Sequence, residues 1–183
     1  MFNDQRSKKV LLVAHCILNQ NAKIDRCAHF PGAVPDLLRP LLDAGIGILQ
    51  MPCPELLGMG LDRQAEPGRG ASVEAEDTRV AAWMQATGGQ AVCRQLAAGL
   101  GYQVEQYRRN GFEVLGVLGV NGSPTCGVET NWEADEEKAQ PGVFIRTLQA
   151  ELAGRGMALP MRGVKVYQPV PARVALLELI APA

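Results

Sequence analysis

The sequence predicts a single α/β domain over residues 1–183, built on a doubly wound, mostly parallel sheet of about four to five strands. Two observations lead to this prediction. Several runs rich in Val, Ile and Leu lack polar alternation, which is typical of strands covered on both faces. Segments with apolar residues every three or four positions lie between these runs and predict helices. Rossmann-like and flavodoxin-like domains have this alternation.

The elements follow from these patterns. Strands are predicted at Lys9–Ala14, 46–51, Glu113–Val120 and 164–168. Helices are predicted at 37–42, 90–110, 143–153 and 174–180. Pro40 within the first of these helices implies a kink or a late start. Gly111 follows the longest helix where a C-terminal cap belongs.

Composition excludes several classes of protein. Hydrophobic residues make up 47% of the chain and charged residues 20%, which is ordinary for a globular protein. The net charge is −1 with the charges scattered, and this argues against a nucleic-acid partner. No apolar run approaches the roughly 20 residues of a membrane span, and none fits a secretory signal. A soluble, cytoplasmic protein is therefore expected.

Three of the five cysteines directly follow predicted strands: Cys16, Cys53 and Cys126. In open α/β sheets, ligands gather beyond the carboxyl ends of the strands. We therefore expect these three side chains to converge at one edge of the sheet. Cys27 and Cys93 show no such pattern and are expected to be small buried hydrophobic residues.

Three convergent thiolates suit an iron–sulfur cluster, zinc or copper. Structural zinc sites usually contain Cys-x-x-Cys pairs and a fourth protein ligand, and the sequence has no such pair. A cubane cluster on three thiolates leaves one iron without a protein ligand, and that iron can act as a Lewis acid. His15 is a candidate fourth ligand, but in an extended segment its side chain points away from Cys16.

Three alternatives remain open from the residues alone. A zinc-dependent hydrolase or structural zinc domain would use the same cysteines with His15. A cluster-free nucleotide-binding or regulatory α/β module would merely bury them, although no Gly-x-Gly-x-x-Gly follows the first strand. A thiol redox or cysteine-nucleophile enzyme lacks both a Cys-x-x-Cys pair and an obvious histidine partner.

Three sequence blocks resemble the thiouracil desulfidase family, and in particular its branch of related desulfidase-like proteins. The blocks are AHCILNQNAK at 14–23, QMPCPELLGMGLDR at 50–63 and GVNGSPTCGVE at 119–129. Each block is short, but their order, strand context and spacing agree together. The resemblance covers most of the chain from about residue 9 to residue 152.

The resemblance implies a 4Fe-4S cluster bound by Cys16, Cys53 and Cys126, and a non-redox reaction on a small 2-thiouracil-type substrate. The open iron would capture the sulfur, and water would replace it on the ring carbon. Better-known desulfidases have Ser-Ala-Cys-Leu-Leu-Gly at the first block and often serine where this chain has Thr125. The resemblance therefore does not identify the substrate.

Glu55, two residues after Cys53, is the candidate base, because a carboxylate beside a partly desolvated cluster can be tuned to accept a proton. Thr125 and Ser123 could relay a proton or bond a cluster sulfide, although capping a turn is the simpler role for Ser123. The sequence assigns no role to the polar residues near the cysteines: Asn19, Gln20, Asn21 and Gln50.

Two polar stretches follow cysteine blocks, at 62–72 and 129–142. They are candidate lid loops over the site, and ordinary surface loops are the alternative interpretation.

Overall fold

The computed structural model describes residues 2–65 and 72–181. The strands are β1 (Lys9–Ala14), β2 (Gly47–Met51), β3 (Glu113–Val120), β4 (Asn131–Glu133), β5 (Glu136–Lys138) and β6 (Met161–Val164). The helices are α1 (His15–Leu18), α2 (Pro35–Asp43), α3 (Pro54–Met59), α4 (Val73–Gln85), α5 (Thr87–Arg109), α6 (Val143–Gly154) and α7 (Pro169–Ile180). A 3-10 turn, Gln20–Ala22, follows α1.

Four parallel strands form the main sheet in the order β2-β1-β3-β6. Val13 of β1 aligns with Gln50 of β2 on one side and with Leu118 of β3 on the other. The chain first moves outward from β1 to β2, then returns across β1 to β3. The predicted α/β class with a parallel, Rossmann-like sheet is confirmed.

Helices cover both faces of the sheet. The helix α5 packs against α6 on one side, and α2 packs against α7 on the other. Buried aliphatic residues of β1 and β3 lie between these layers and form the centre of the core. This burial on both faces explains the unbroken apolar runs of the sequence.

Several element boundaries differ from the predictions. The last strand ends at Val164, where 164–168 was predicted, because β6 pairs with β3 from Met161 onward and the chain turns after Val164. Pro40 lies inside α2, which already begins at Pro35. No helix of the described residues is long and apolar enough to cross a membrane.

Two further elements lie next to the predicted loops. Helix α4 begins after Ser72, whose hydroxyl accepts a hydrogen bond from the Ala75 N–H at 3.2 Å. The stretch 129–142 contains the β4–β5 hairpin. The stretch 62–72 is described only at its two ends, since residues 66–71 lie outside the described part of the chain.

Candidate functional site

A cleft of about 430 Å³ lies beyond the carboxyl ends of β1, β2 and β3. It lies between β1 and β3, at the point where the strand order of the sheet switches from one side of β1 to the other. In open α/β sheets the connections diverge at this point and leave a crevice. The fold therefore forms a ligand-sized cavity at the edge of the sheet that follows the predicted strands.

The three strand-end cysteines all line this cleft. Cys16 lies in α1 directly after β1, so its segment is one helical turn and not the extended chain that was expected. Cys53 precedes α3, and its Sγ accepts the Leu56 N–H at 3.5 Å. Cys126 is buried in the turn after β3. The helical turn α1, the start of α3 and the turn after β3 therefore each bring one cysteine to the same cleft.

Cys126 is buried, Cys16 and Cys53 are partly buried, and the three thiols influence one another. Burial, with a smaller contribution from the nearby Glu55 carboxylate, raises the pKa of Cys53 to about 12. Burial also raises the pKa of Cys126 well above its usual range, with added contributions from Cys53 and Cys16. Three such groups can ionise together only if positive charge is supplied. This donor set fits a bound metal centre, which supplies that charge.

A cubane cluster and a single ion make different geometric demands. In residues 2–65 and 72–181, no three His, Cys, Asp or Glu side chains converge closely enough to hold one metal ion. In a cubane, each cysteine ligates its own iron at a separate corner, so the sulfurs stay further apart. Cys16, Cys53 and Cys126 all line one cavity, which is what three ligands of one cubane require.

Arg63 is a site residue that the sequence analysis quoted but did not assign. Its side chain is 1% exposed and donates to the carbonyls of Ala22 at 2.6 Å and Gly60 at 2.8 Å. The same guanidinium lies 3.4 Å from Glu55 Oε2 and 3.8 Å from Cys53 Sγ. A buried cation therefore joins the segment after Cys16 to the Cys53 turn.

A chain of hydrogen bonds connects the side chains of Glu55, Thr125 and Ser123. The fully buried Thr125 hydroxyl donates to Glu55 Oε1. Ser123 Oγ accepts the backbone N–H of Thr125 at 3.3 Å and that of Cys126 at 3.1 Å. Because the Thr125 proton is used on Glu55, the Ser123 hydroxyl is the donor across the 3.2 Å between the two hydroxyls. Ser123 therefore both caps the turn and supports Thr125.

The turn that carries Cys126 is stabilised from two sides. Asn121 Oδ1 accepts the N–H groups of Val128 at 3.2 Å and Glu129 at 3.1 Å. A Cβ added at Gly127 would lie 1.9 Å from the Thr130 carbonyl oxygen, so only glycine fits there. These contacts determine where the sulfur of Cys126 lies.

The polar residues of the first block shape the loop after Cys16. The buried Gln20 donates to the Cys16 carbonyl at 2.6 Å and accepts the His29 N–H at 3.0 Å. Asn19 caps the 3-10 turn by accepting the Asn21 N–H at 3.1 Å. Asn19 and Asn21 are therefore turn residues.

Neither His15 nor Gln50 lines the cleft. Both ring nitrogens of His15 are buried, without a hydrogen-bond partner in the described chain. Gln50 is exposed. The geometry thus gives neither residue a direct contact with a ligand in the cleft.

The two remaining cysteines differ from each other. Cys93 is buried within α5, away from the cleft, as expected. Cys27 was expected to be buried too, but it is half-buried and lines the cleft. The loop that Gln20 holds brings Cys27 there, and no strand pattern in the sequence marks this loop.

Asp77 of α4 also lines the cleft, and the sequence analysis missed it. Burial and, to a smaller extent, the Glu55 charge raise the pKa of Asp77 to about 7, although the Lys23 charge acts in the opposite direction. Its helix has no strong apolar period, so the sequence did not indicate that one face meets a cavity.

The β4–β5 hairpin and the C-terminal segment form the rim. Trp132 lines the cleft, and its indole N–H donates to Thr78 Oγ1 at 2.9 Å, which joins the hairpin to α4. Opposite, the rings of His29 and Tyr167 lie 5.3 Å apart. The stretch 129–142 therefore borders the site, and its movement as a lid stays a prediction.

Comparisons with known proteins give a distant similarity. The chain is similar to an uncharacterized protein of Methanocaldococcus jannaschii, with 28% identity over 126 residues, or 69% of this chain and 72% of that protein. No protein-family profile matches the chain. No solved structure matches it either.

Replacing Arg63 tests its structural role. Arg63→Ala leaves buried carbonyls and the Glu55 carboxylate without their donor, so we expect the free energy of unfolding to fall by about 3 kcal/mol. Urea unfolding measures the change. The control Arg39→Ala removes an exposed arginine of α2 and should change it by less than about 0.5 kcal/mol. Equal effects of both substitutions would contradict the assigned role.

Asp77 makes stability depend on pH. Its pKa is about 7 in the folded chain against an ordinary 3.8, so the folded state holds the proton more tightly. Stability is lost as pH rises from about 4 to about 7. At pH 8 we expect Asp77→Asn to be about 2 kcal/mol more stable than the original chain, and at pH 4 to be similar. Unfolding curves at both pH values check this, and an equal difference at both would contradict it.

Proposed function

We propose that this protein binds a 4Fe-4S cluster through Cys16, Cys53 and Cys126 and removes sulfur from a small thiocarbonyl compound. The observation that carries the proposal is the arrangement of three desolvated thiols around one cavity with a carboxylate, Glu55, beside them. The resemblance of the three sequence blocks to thiouracil desulfidases points to the same chemistry. Bound there, the cluster would supply a soft Lewis acid for the substrate sulfur.

Glu55 is suited to accept the proton of an attacking water. Its two carboxylate oxygens face the Thr125 hydroxyl and the Arg63 guanidinium, and both contacts stabilise its negative charge. These contacts also hold the carboxylate in one orientation at the cleft. A positioned base is an effective one, because proton transfer requires hydrogen-bond distance.

Thr125 and Ser123 support this base. Ser123 is held by the N–H groups of the Cys126 turn, and it orients the Thr125 hydroxyl toward Glu55. The base and the third cysteine therefore share one rigid turn. Thr125 retains the hydroxyl of the serine that is often found at this position in the desulfidases.

A reducing compartment agrees with this proposal. All five cysteines are free thiols. Thiols persist in the cytoplasm and are needed to ligate a cluster. The proposed location is therefore the cytoplasm and the proposed partner a small thio-compound, with neither nucleic acid nor a membrane required.

Anaerobic purification tests the cluster. We expect a brown protein with about four irons and four sulfides per chain. Cys16→Ser, Cys53→Ser and Cys126→Ser should each bleach it, because each removes a ligand. Cys27→Ser and Cys93→Ala should keep the colour. Bleaching by these two controls, or zinc without sulfide in the original protein, would overturn the ligand set or the metal.

Glu55→Gln tests the base. With the cluster loaded, we expect kcat for sulfide release from 2-thiouracil-type compounds to fall about 100-fold or more, with iron and sulfide content unchanged. The matched control is Glu113→Gln, an exposed glutamate at the opposite edge of the sheet. A cluster-loaded original protein that releases no sulfide from any thiocarbonyl would refute the proposed reaction.

A further inference from the structure

We propose that Asp77 is a second acid–base residue of this cleft, which exchanges a proton with a substrate nitrogen next to the reacting carbon. The proposal rests on the proposed function. It concerns a residue outside the three blocks that carry the family resemblance.

Asp77 lies on a well-anchored part of α4. The neighbouring Thr78 donates to Asp135 at 2.6 Å and accepts the Trp132 indole N–H. Two residues further, Arg79 donates to the Arg63 carbonyl at 2.7 Å. These contacts hold the part of α4 that directly follows Asp77 against the hairpin and against Arg63. Within the described chain, its own carboxylate has no hydrogen bond and no ion pair.

The charges around Asp77 favour its acid form. Glu55 lies across the cleft on α3, and Glu74 and Glu76 lie on the same helix. From the loop after Cys16, Lys23 acts in the opposite direction, and Cys27 lies near enough to be affected by Asp77. The pKa of Asp77, about 7, means that this carboxyl both holds and releases a proton near neutral pH.

Among residues 2–65 and 72–181, no hydrogen bond or ion pair holds this carboxyl in place. An unpaired, half-buried acid destabilises the folded state at neutral pH, and asparagine would occupy the same volume without that cost. Residues that lower stability without a structural partner are typical of functional sites. Asp77 lines the cleft, so we place its role with a ligand there.

The two carboxyl groups suit different tasks. Glu55 is bonded by Thr125 and Arg63, which stabilise its charged form. Asp77 has neither contact, and the charges of Glu55, Glu74 and Glu76 raise its pKa. A pair of acids in different environments is the usual arrangement for a base and an acid acting in one reaction. Glu55 raises the pKa of Cys16, Cys53, Cys126 and Cys27, whereas Asp77 raises that of Cys27.

For a substrate in its N=C–S⁻ form, Glu55 and Asp77 together can transfer every proton that the reaction requires, and both return to their starting forms. As the water oxygen bonds to carbon, Glu55 takes one water proton, the C=N electron pair moves to nitrogen, and Asp77 protonates that nitrogen. When the C–S bond breaks, its electron pair leaves with sulfur and the C=O bond forms. Asp77 recovers the hydroxyl proton, and Glu55 gives its proton to the released sulfide. The sum is N=C–S⁻ plus water giving HN–C=O plus HS⁻.

The substitution Asp77→Asn tests the role in the cluster-loaded protein. We expect kcat to fall about 100-fold with little change in KM, and the decline in rate above about pH 7 to disappear, because asparagine cannot donate that proton. Asp77→Glu should restore part of kcat and the pH dependence. Iron and sulfide content should stay unchanged in both. The matched control Asp43→Asn removes an exposed carboxylate at the end of α2 and should keep the original profile.

The outcomes separate the two proposals. If the original protein releases sulfide and Asp77→Asn keeps both its kcat and its decline above pH 7, Asp77 is not an acid–base residue and the proposed function stands. If Asp77→Asn instead raises KM alone, Asp77 only binds substrate and the inference is wrong. If the cluster-loaded original protein releases no sulfide, the proposed function fails and this inference fails with it.

Discussion

The parallel pairing of β1 with β2 on one side and β3 on the other is the constraint on which the site depends. Because the three strands run in the same direction, the segments that follow them leave the sheet at one edge. Cys16, Cys53 and Cys126 are far apart along the chain, and this pairing brings them to one cavity. Successive strands are added on opposite sides of β1, first β2 and then β3, so the turns after β1 and β3 diverge and leave room for a ligand between them.

Arg63 links the segments that form this edge of the sheet. A guanidinium that is almost fully buried needs its hydrogen bonds satisfied, and backbone carbonyls from two segments satisfy it. Its remaining contacts reach Glu55 and Cys53. The carboxylate that the proposal uses as a base therefore has a permanent positive neighbour.

The cleft collects groups that stabilise the fold poorly. Buried thiols close to one another and the unpaired carboxyl of Asp77 all resist ionisation there. Such groups are tolerated where a ligand supplies the missing charge or proton partner. The surrounding core of aliphatic residues on β1 and β3 provides the stability that this arrangement lacks.

The sequence alone determined the strands β1 and β3 to the residue and indicated the helices α2, α5, α6 and α7 but not α4, because unbroken apolar runs and helical periodicity are local properties. It also indicated which cysteines follow strands, since that needs only the order along the chain. Tertiary structure alone decided that Cys27, Arg63 and Asp77 face the cleft. These residues reach it through a loop closed by Gln20 and through α4, whose weak apolar pattern does not show which face is buried. Contacts between distant segments determine such placements, and no local pattern encodes them.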